Sequence, residues 1–135
     1  MNELPGIITE IRSSDNLSLV QMTGPGDCHL SALVIDTVES ANWLIPGKKV
    51  KVSFKEIEVM ISPDPLLKIS AQNRLPCQIK SMKVGVLLAQ VELLFHEIMI
   101  TSIITANACR LLNLQENDAV LAVIKTNEIS IAPDD

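Results

Sequence analysis

The chain contains an internal repeat, and this repetition constrains the possible folds more than any other feature of the sequence. Residues 2–8 (NELPGII) match residues 73–79 (NRLPCQI), 71 positions later. Residues 55–63 (KEIEVMISP) match residues 125–133 (KTNEISIAP), 70 positions later. Two matches in the same order at nearly one separation indicate a duplicated unit of about 65 residues.

The two copies meet near two prolines, Pro63 and Pro65, which interrupt regular structure. A chain of 135 residues has room for two small domains and no more. We therefore predict one domain over residues 1–65 and a second over residues 70–135.

Each copy contains short segments in which apolar and polar residues alternate, as is typical of β-strands. The predicted strands cover residues 4–12, 16–22, 28–35 and 48–61, and then 75–84, 86–94, 98–105 and 118–131. A short helix is predicted after the third strand of each copy, over residues 37–44 and 106–112. Short strands, one short helix and Gly/Pro turns favour a small Greek-key barrel of the OB type. The predicted fold class is therefore mostly all-β: two tandem OB-like Greek-key barrels, each with one short helix.

The last predicted strand of each copy changes the face that carries its apolar residues. In the first copy these residues move from even to odd positions at Lys55, and in the second copy they do so at Lys125. A strand of period two cannot change faces without a bulge, a bend or a switch of partner. A bulge would leave backbone N–H groups beside a lysine, which would suit an anion. The periodicity alone favours a barrel corner with a solvated lysine.

The same strand differs between the copies on its outer face. Leu121 and Val123 make it apolar on both faces, whereas Lys51 and Ser53 occupy the corresponding positions in the first copy. A strand that is apolar on both faces is buried on both sides. We therefore expect Leu121 and Val123 to lie at a subunit or domain contact.

Composition excludes several classes of protein. The formal net charge is -5 and aromatic residues make up 2% of the chain, which argues against binding to duplex or single-stranded nucleic acid. Neither a membrane span nor an export signal is visible, and the three cysteines show no CxxC spacing. These features predict a reduced, cytoplasmic protein. The mean hydropathy of +0.31 further suggests that another subunit covers some apolar surface.

Four segments of the second copy together resemble a known family. They are residues 70–75 (SAQNRL), 103–105 (IIT), 113–114 (NL) and 120–129 (VLAVIKTNEI). They resemble the Mop domain, also called the TOBE or molybdenum-pterin-binding domain. Its pattern is Ser-Ala-Arg-Asn, then Ile-Thr ending the third strand, then Ile-Lys followed by Ala, Ser or Thr. Because the first copy is a more divergent version, the whole chain resembles a tandem di-Mop protein of the molbindin type.

This resemblance implies OB-like barrels that assemble as trimers of tandem pairs and bind molybdate or tungstate at subunit interfaces. It implies a cytoplasmic oxyanion-binding protein for storage or homeostasis. The alternative is a regulatory module of a molybdate transporter ATPase or of a molybdate-responsive transcription regulator. The oxyanion-binding residues that the resemblance implies are Ser70, Ala71, Gln72, Asn73, Thr105, Lys125 and Thr126, with Lys55 from the first copy.

The chain departs from the family pattern at several of these positions. Gln72 replaces the usual arginine, and in the first copy Ile35 and Glu56 stand where Thr105 and Thr126 stand in the second. A carboxylate at position 56 would repel a dianion unless it points away. The first copy therefore keeps fewer of the implied binding residues, and Lys55 is its best candidate.

Residues suited to catalysis are few. The sequence has no HExxH motif at His96, and a metal site built from His29, His96 and Cys109 is disfavoured because nothing in their spacing brings them together. We therefore expect no enzymatic activity and no directly bound metal cation.

Overall fold

A computed structural model describes residues 1–35 and 40–134 and contains mostly β-structure. Strands of the first copy are β1 (Asn2–Ser14), β2 (Leu17–Thr23), β3 (His29–Val34), β4 (Lys49–Phe54) and β5 (Met60–Ser62). Strands of the second copy are β6 (Asn73–Val84), β7 (Leu88–Phe95), β8 (Ile98–Thr105), β9 (Ala119–Ile124) and β10 (Ser130–Pro133). An α-helix, α1, spans Ala106–Leu111, and short 3₁₀ turns span Pro25–Asp27, Glu56–Glu58 and Thr126–Glu128. The predicted mostly-β class is confirmed.

The strands form two five-stranded antiparallel sheets that exchange their last strands. Sheet 1 has the order β10-β4-β1-β2-β3, and sheet 2 has the order β5-β9-β6-β7-β8. Each sheet therefore takes its fifth strand from the other copy. In sheet 1, Ile131 of β10 pairs with Val52, and in sheet 2, Met60 of β5 pairs with Val123. The boundaries at residues 65 and 70 remain a prediction about the sequence units.

This exchange explains the change of face seen in the sequence. The long strands predicted over residues 48–61 and 118–131 are wrong, because each is interrupted by a 3₁₀ turn. Before the turn the chain belongs to one sheet, and after it the chain belongs to the other. The cause is a switch of partner rather than a bulge. The register shifts that do occur lie elsewhere, at Ile8/Glu10 and Ile79/Ser81.

The outer face of β9 is covered by the same chain. Leu121 and Val123 are 7% and 1% exposed, and they form a small apolar cluster with Ala71 from the segment that leads into β6. At these positions β9 also pairs with β5 of the first copy, Val123 with Met60 and Leu121 with Ser62, so both residues lie where the two copies meet. A subunit contact there stays a prediction. A segment of the same chain that crosses β9 buries these apolar side chains as well as another molecule would. The periodicity of the sequence cannot distinguish the two cases.

The predicted helices have different outcomes. The second is confirmed as α1, which begins after Thr105, whose hydroxyl accepts a hydrogen bond from the Ala108 N–H at 3.0 Å. The first, predicted over residues 37–44, lies partly outside the described residues, and residues 40–44 form turns. The alternation within strands is clear: Leu4 and Ile8 of β1, like Leu75 and Ile79 of β6, lie in a core that includes residues of both copies.

Candidate functional site

The two lysines of the repeated motif occupy the same backbone position in their copies. Lys55 follows β4 and Lys125 follows β9, and both have extended dihedral angles (φ −79°, ψ 149° and φ −71°, ψ 150°). Each lysine carbonyl accepts a hydrogen bond from the N–H three residues later, at 3.0 and 3.1 Å. The first N–H groups of such a turn have no acceptor within it. Each lysine therefore stands beside backbone donors.

The side chain of Lys125 is exposed and available to an anion. Within residues 1–35 and 40–134, no carboxylate forms an ion pair with Lys125. Lys51 on the face of β4, by contrast, forms an ion pair in which its Nζ lies 3.7 Å from Oε2 of Glu3. Thr126, the next residue, is half-buried at the start of the Thr126–Glu128 turn. The Lys125 turn, meaning residues 125–128, thus combines a cation, a hydroxyl and backbone N–H groups.

The Lys55 turn, residues 55–58, has a different charge environment. The Glu56 carboxylate accepts a hydrogen bond from the α-ammonium of Met1 at 2.8 Å, and this bond lowers the pKa of the Glu56 carboxyl. Lys55 lines a cleft of about 190 Å³ together with Glu58 and with Asn127 and Glu128 of the second copy. Lys55 therefore shares its cleft with two carboxylates, Glu58 of its own turn and Glu128 of the Lys125 turn.

Ser70, Ala71 and Gln72 belong to the segment that crosses β9. Ser70 and Gln72 are exposed, whereas Ala71 packs on Leu121 and Val123. The guanidinium of Arg74 holds this segment in place. It donates to the carbonyl of Ile69 at 3.2 Å and that of Ala71 at 3.4 Å, and also to the carbonyl of Leu67. No role was predicted for Arg74, although a charged residue among the alternating apolar positions of a strand was a usable signal.

Asn73 is buried, and its side chain bonds to protein groups. Its Oδ1 accepts from the Ser31 N–H at 2.7 Å, and its Nδ2 donates to the carbonyls of Ser31 at 2.9 Å and Ile124 at 3.1 Å. An amide nitrogen has only two N–H bonds, so its donor capacity is used. The resemblance implied backbone donors around Ala71–Asn73. The side chain of Asn73 cannot donate to a ligand as well, because both of its N–H groups bind protein carbonyls.

Thr105 lies far from the Lys125 turn along sheet 2. At one end of β6, Asn73 pairs with Ile124, the residue before Lys125. At the other end of β6, Val84 pairs with Ala89 of β7. The neighbouring residue of β7, Leu88, pairs with Thr105 of β8. Since β6 has 12 residues, its ends are about 35 Å apart along the strand. The structure therefore brings Lys125, Thr126 and Asn73 to one end of the sheet and leaves Thr105 at the other.

The residues considered for catalysis do not assemble. Among the described residues, no group of three His, Cys, Asp or Glu side chains could hold a metal ion. Burial raises the pKa of the Cys77 thiol to about 12, which leaves it protonated at neutral pH. The imidazole of His96 packs edge-on against Phe95, with ring centres 4.6 Å apart. In the described part of the chain, no helix is long and apolar enough to span a bilayer.

Comparison with solved structures gives a match over the whole length. A crystal structure of the cytoplasmic molybdate-binding protein ModG with molybdate bound is 28% identical, with a TM-score of 0.89, covering 98% of this chain and 96% of that one. A molybdate-binding protein from Sporomusa ovata aligns over 44% of this chain and 88% of its own, at 27% identity and a TM-score of 0.43.

Comparison with curated proteins gives a relative that is longer than this chain. It is the molybdenum transport protein ModE of Azotobacter vinelandii, which is 25% identical over 132 residues. These residues are 97% of this chain and 49% of ModE, so the chain spans about half the length of that relative. No family model matches the chain. The whole-length likeness to ModG confirms the predicted tandem OB-like fold and the predicted resemblance to tandem Mop (TOBE) proteins of the molbindin type.

Proposed function

We propose that this protein binds molybdate or tungstate reversibly, as an intact oxyanion, and does no chemistry on it. The observation that carries the proposal is the likeness, over nearly the whole of both chains, to ModG with molybdate bound. The Lys125 turn gives this likeness a local basis, because it presents an ammonium without an ion-pair partner among the described residues, together with a hydroxyl and turn N–H groups.

The donor set fits the chemistry of the ligand. Molybdate is a dianion with four acceptor oxygens and no proton at neutral pH, so it is best held by groups that donate hydrogen bonds. Lys125, Thr126 and the backbone near Ser70 are such donors. Because Gln72 replaces the arginine of the family pattern, Lys125 supplies the only full positive charge among the second-copy residues assigned to the site. One charged donor and several neutral donors favour binding that can be reversed.

We further propose that complete sites need more than one chain. Thr105 and Lys125 lie at opposite ends of the strands of sheet 2, so one chain does not bring them together along the sheet. A trimer of tandem pairs, as the family resemblance implies, would place the Thr105 end of one chain beside a neighbour. Exposed apolar residues at this end, including Val86 and Leu87, agree with such a contact.

The role in the cell is proposed as storage or homeostasis of the oxyanion in the cytoplasm. The second candidate is a regulatory module that senses the oxyanion for an attached partner. The observation that supports this candidate is the match to half of ModE. Both candidates use the same binding site and differ only in what the bound state does.

A calorimetric titration tests the proposal. Molybdate and tungstate are expected to bind, whereas sulfate and phosphate are expected to bind much more weakly. The likeness to ModG with molybdate bound leads us to expect a site sized for the larger oxyanion, and phosphate carries a proton that donors cannot satisfy. Light scattering on the same sample is expected to give a mass in multiples of three chains. The matched control is Lys51→Ala, which removes an exposed lysine outside the site and leaves binding unchanged. Equal heats for sulfate and molybdate would contradict the proposal.

A further inference from the structure

The side chain of Asn73 connects three parts of the molecule. It is 0% exposed and bridges β3 of the first copy to the end of β9 in the second. With Ser31 it forms a two-bond pair, because it binds both the N–H and the carbonyl of that residue. Its remaining N–H reaches the Ile124 carbonyl, in the peptide group immediately before Lys125.

This last bond acts on the peptide plane through which the chain enters the Lys125 turn. The Ile124 carbonyl and the Lys125 N–H belong to one planar peptide group, so fixing the direction of one fixes the direction of the other. The bond is buried and adds to the strand pairing of Asn73 with Ile124, so it holds the Ile124 carbonyl from a second direction. The bond therefore restrains the orientation of the backbone at the residue that carries the charge.

The first copy provides a natural comparison. Asn2 corresponds to Asn73 and makes the same two-bond pair with the other copy, through Thr101, at 2.8 Å for each bond. Within the described residues, the structure gives Asn2 no bond to the Phe54 carbonyl, which is the counterpart of the Ile124 carbonyl. The two asparagines therefore share a role in joining the copies and differ in the third bond.

We propose that Asn73 is a positioning residue for oxyanion binding: it does not donate to the ligand but fixes the peptide before Lys125 so that the Lys125 turn is preorganised. This inference rests on the proposed function of that turn. In this inference Asn73 supports the site without contacting the ligand, and its bonds to Ser31 link the site to β3 of the other copy. The preorganisation lowers the ordering that binding requires.

The test compares Asn73→Ala with Asn2→Ala. Both variants lose the bonds that join the copies, and we expect similar falls in the denaturation midpoint. Molybdate affinity is expected to fall about tenfold in Asn73→Ala, as for the loss of one buried hydrogen bond, and by less than about twofold in Asn2→Ala. In the background of Lys125→Ala, removing Asn73 is expected to cost less than it does in the parent protein, because both residues act on the same turn.

A readout on the ligand-free protein separates this inference from the proposed function. The backbone amide NMR signals of residues 125–127 are expected to shift in Asn73→Ala and to stay in place in Asn2→Ala. If the parent protein binds no molybdate, the proposed function fails, while these signals still report whether Asn73 fixes the turn. Unchanged signals and parent-like affinity in Asn73→Ala, or equal affinity losses in both variants, would overturn the inference.

The parent protein supplies a second measurement that needs no variant. The side-chain amide hydrogens of Asn73 are expected to exchange slowly with solvent both before and after molybdate is added, because both are held by protein carbonyls. Fast exchange in the ligand-free protein, or protection that arises only with molybdate, would instead identify Asn73 as a ligand donor and overturn the inference even if Asn73→Ala does not fold.

Discussion

The two copies share a backbone plan, and their contact shows how duplicated units diverge in complementary ways. Gly26 and His96 occupy corresponding turns, 70 positions apart, and both have positive φ angles. A Cβ placed on Gly26 would lie 2.2 Å from the ring of His96. The absent side chain of one turn therefore makes room for the imidazole of its counterpart. The two copies therefore carry different residues, a glycine and a histidine, at the point where these turns meet.

The lysine turns diverge in charge rather than in shape. Both begin with an extended lysine and continue as a 3₁₀ turn. The residue after Lys55 is a carboxylate bound to the Met1 ammonium, whereas the residue after Lys125 is a threonine. The same backbone thus presents a neutral hydroxyl in one copy and a carboxylate in the other. This contrast is why we assign the greater part of oxyanion binding to the second copy.

The strands that precede these turns differ in how their outer faces are covered. In β9, Leu121 and Val123 are buried beneath the segment that contains Ala71, whereas in β4 the corresponding Lys51 and Ser53 face a less covered surface. The covering segment is part of the connection between the copies and leads directly into β6 of the second copy. The difference in apolar pattern between β4 and β9 is therefore explained by the linking segment, which crosses the outer face of β9.

The largest expected effect comes from placing a charge on the covered face. Val123→Lys is expected to reduce the free energy of unfolding by about 3–5 kcal/mol, because the side chain is buried without a partner for the ammonium. The matched change Ser53→Lys, on the less covered face of β4, is expected to alter it by about 0.5 kcal/mol or less. Chemical denaturation measures both. Equal losses would show that the two faces are covered alike.

The next effect concerns the contact between Gly26 and His96. Gly26→Ala is expected to cost about 2–4 kcal/mol, from the positive φ of +67° and from the collision with the imidazole. Adding His96→Ala is expected to recover the part due to the collision and to leave about 1–2 kcal/mol from the backbone. Thermal or chemical denaturation of the single and double variants gives the coupling. Strict additivity would contradict the proposed complementarity of the two turns.

A smaller effect is expected where the second copy supports the Lys55 turn. The hydroxyl of Ser102 in β8 donates to the Val59 carbonyl at 2.7 Å, at the end of that turn, and Ala32 stands at the corresponding position of the first copy. Ser102→Ala is expected to cost about 2 kcal/mol, because it leaves a buried carbonyl without its donor. The control is Ser81→Ala on the exposed part of β6, which should be neutral. A neutral Ser102→Ala would indicate that water replaces the hydroxyl.

Much of the fold was predictable because strand periodicity and the repeat are local signals. Both anticipated β1–β3, β6–β8 and the short helix after Thr105, and they anticipated β4 and β9 as parts of two strands that were predicted too long. The exchange of β5 and β10 between sheets was not predictable, since a change of face at Lys55 or Lys125 is equally consistent with a bulge or a bend. Choosing between them requires knowing which strand lies alongside, and this depends on contacts between residues distant in the sequence.

The candidate site was predictable in its residue types and less so in its arrangement. Lys125 and Thr126 form one turn, as the motif suggested, but Thr105 lies at the other end of the sheet. Asn73 is part of the sequence motif, but its side chain binds protein groups that join β6 to β3 and β9. A motif records which residues occur together, whereas hydrogen-bond partners decide which of them are still available to a ligand.

A molybdate titration of paired lysine variants tests most directly the assignment of binding to the second copy. Lys125→Ala is expected to weaken binding by about 1.5–3 kcal/mol, or about 10- to 100-fold, because a charge-assisted hydrogen bond is lost. Ser70→Ala and Thr126→Ala should each cost about 1 kcal/mol, and Lys55→Ala should affect only sites built with the first copy. If Lys125→Ala binds molybdate as tightly as the parent protein while its mass in solution is unchanged, the oxyanion is not held at the Lys125 turn.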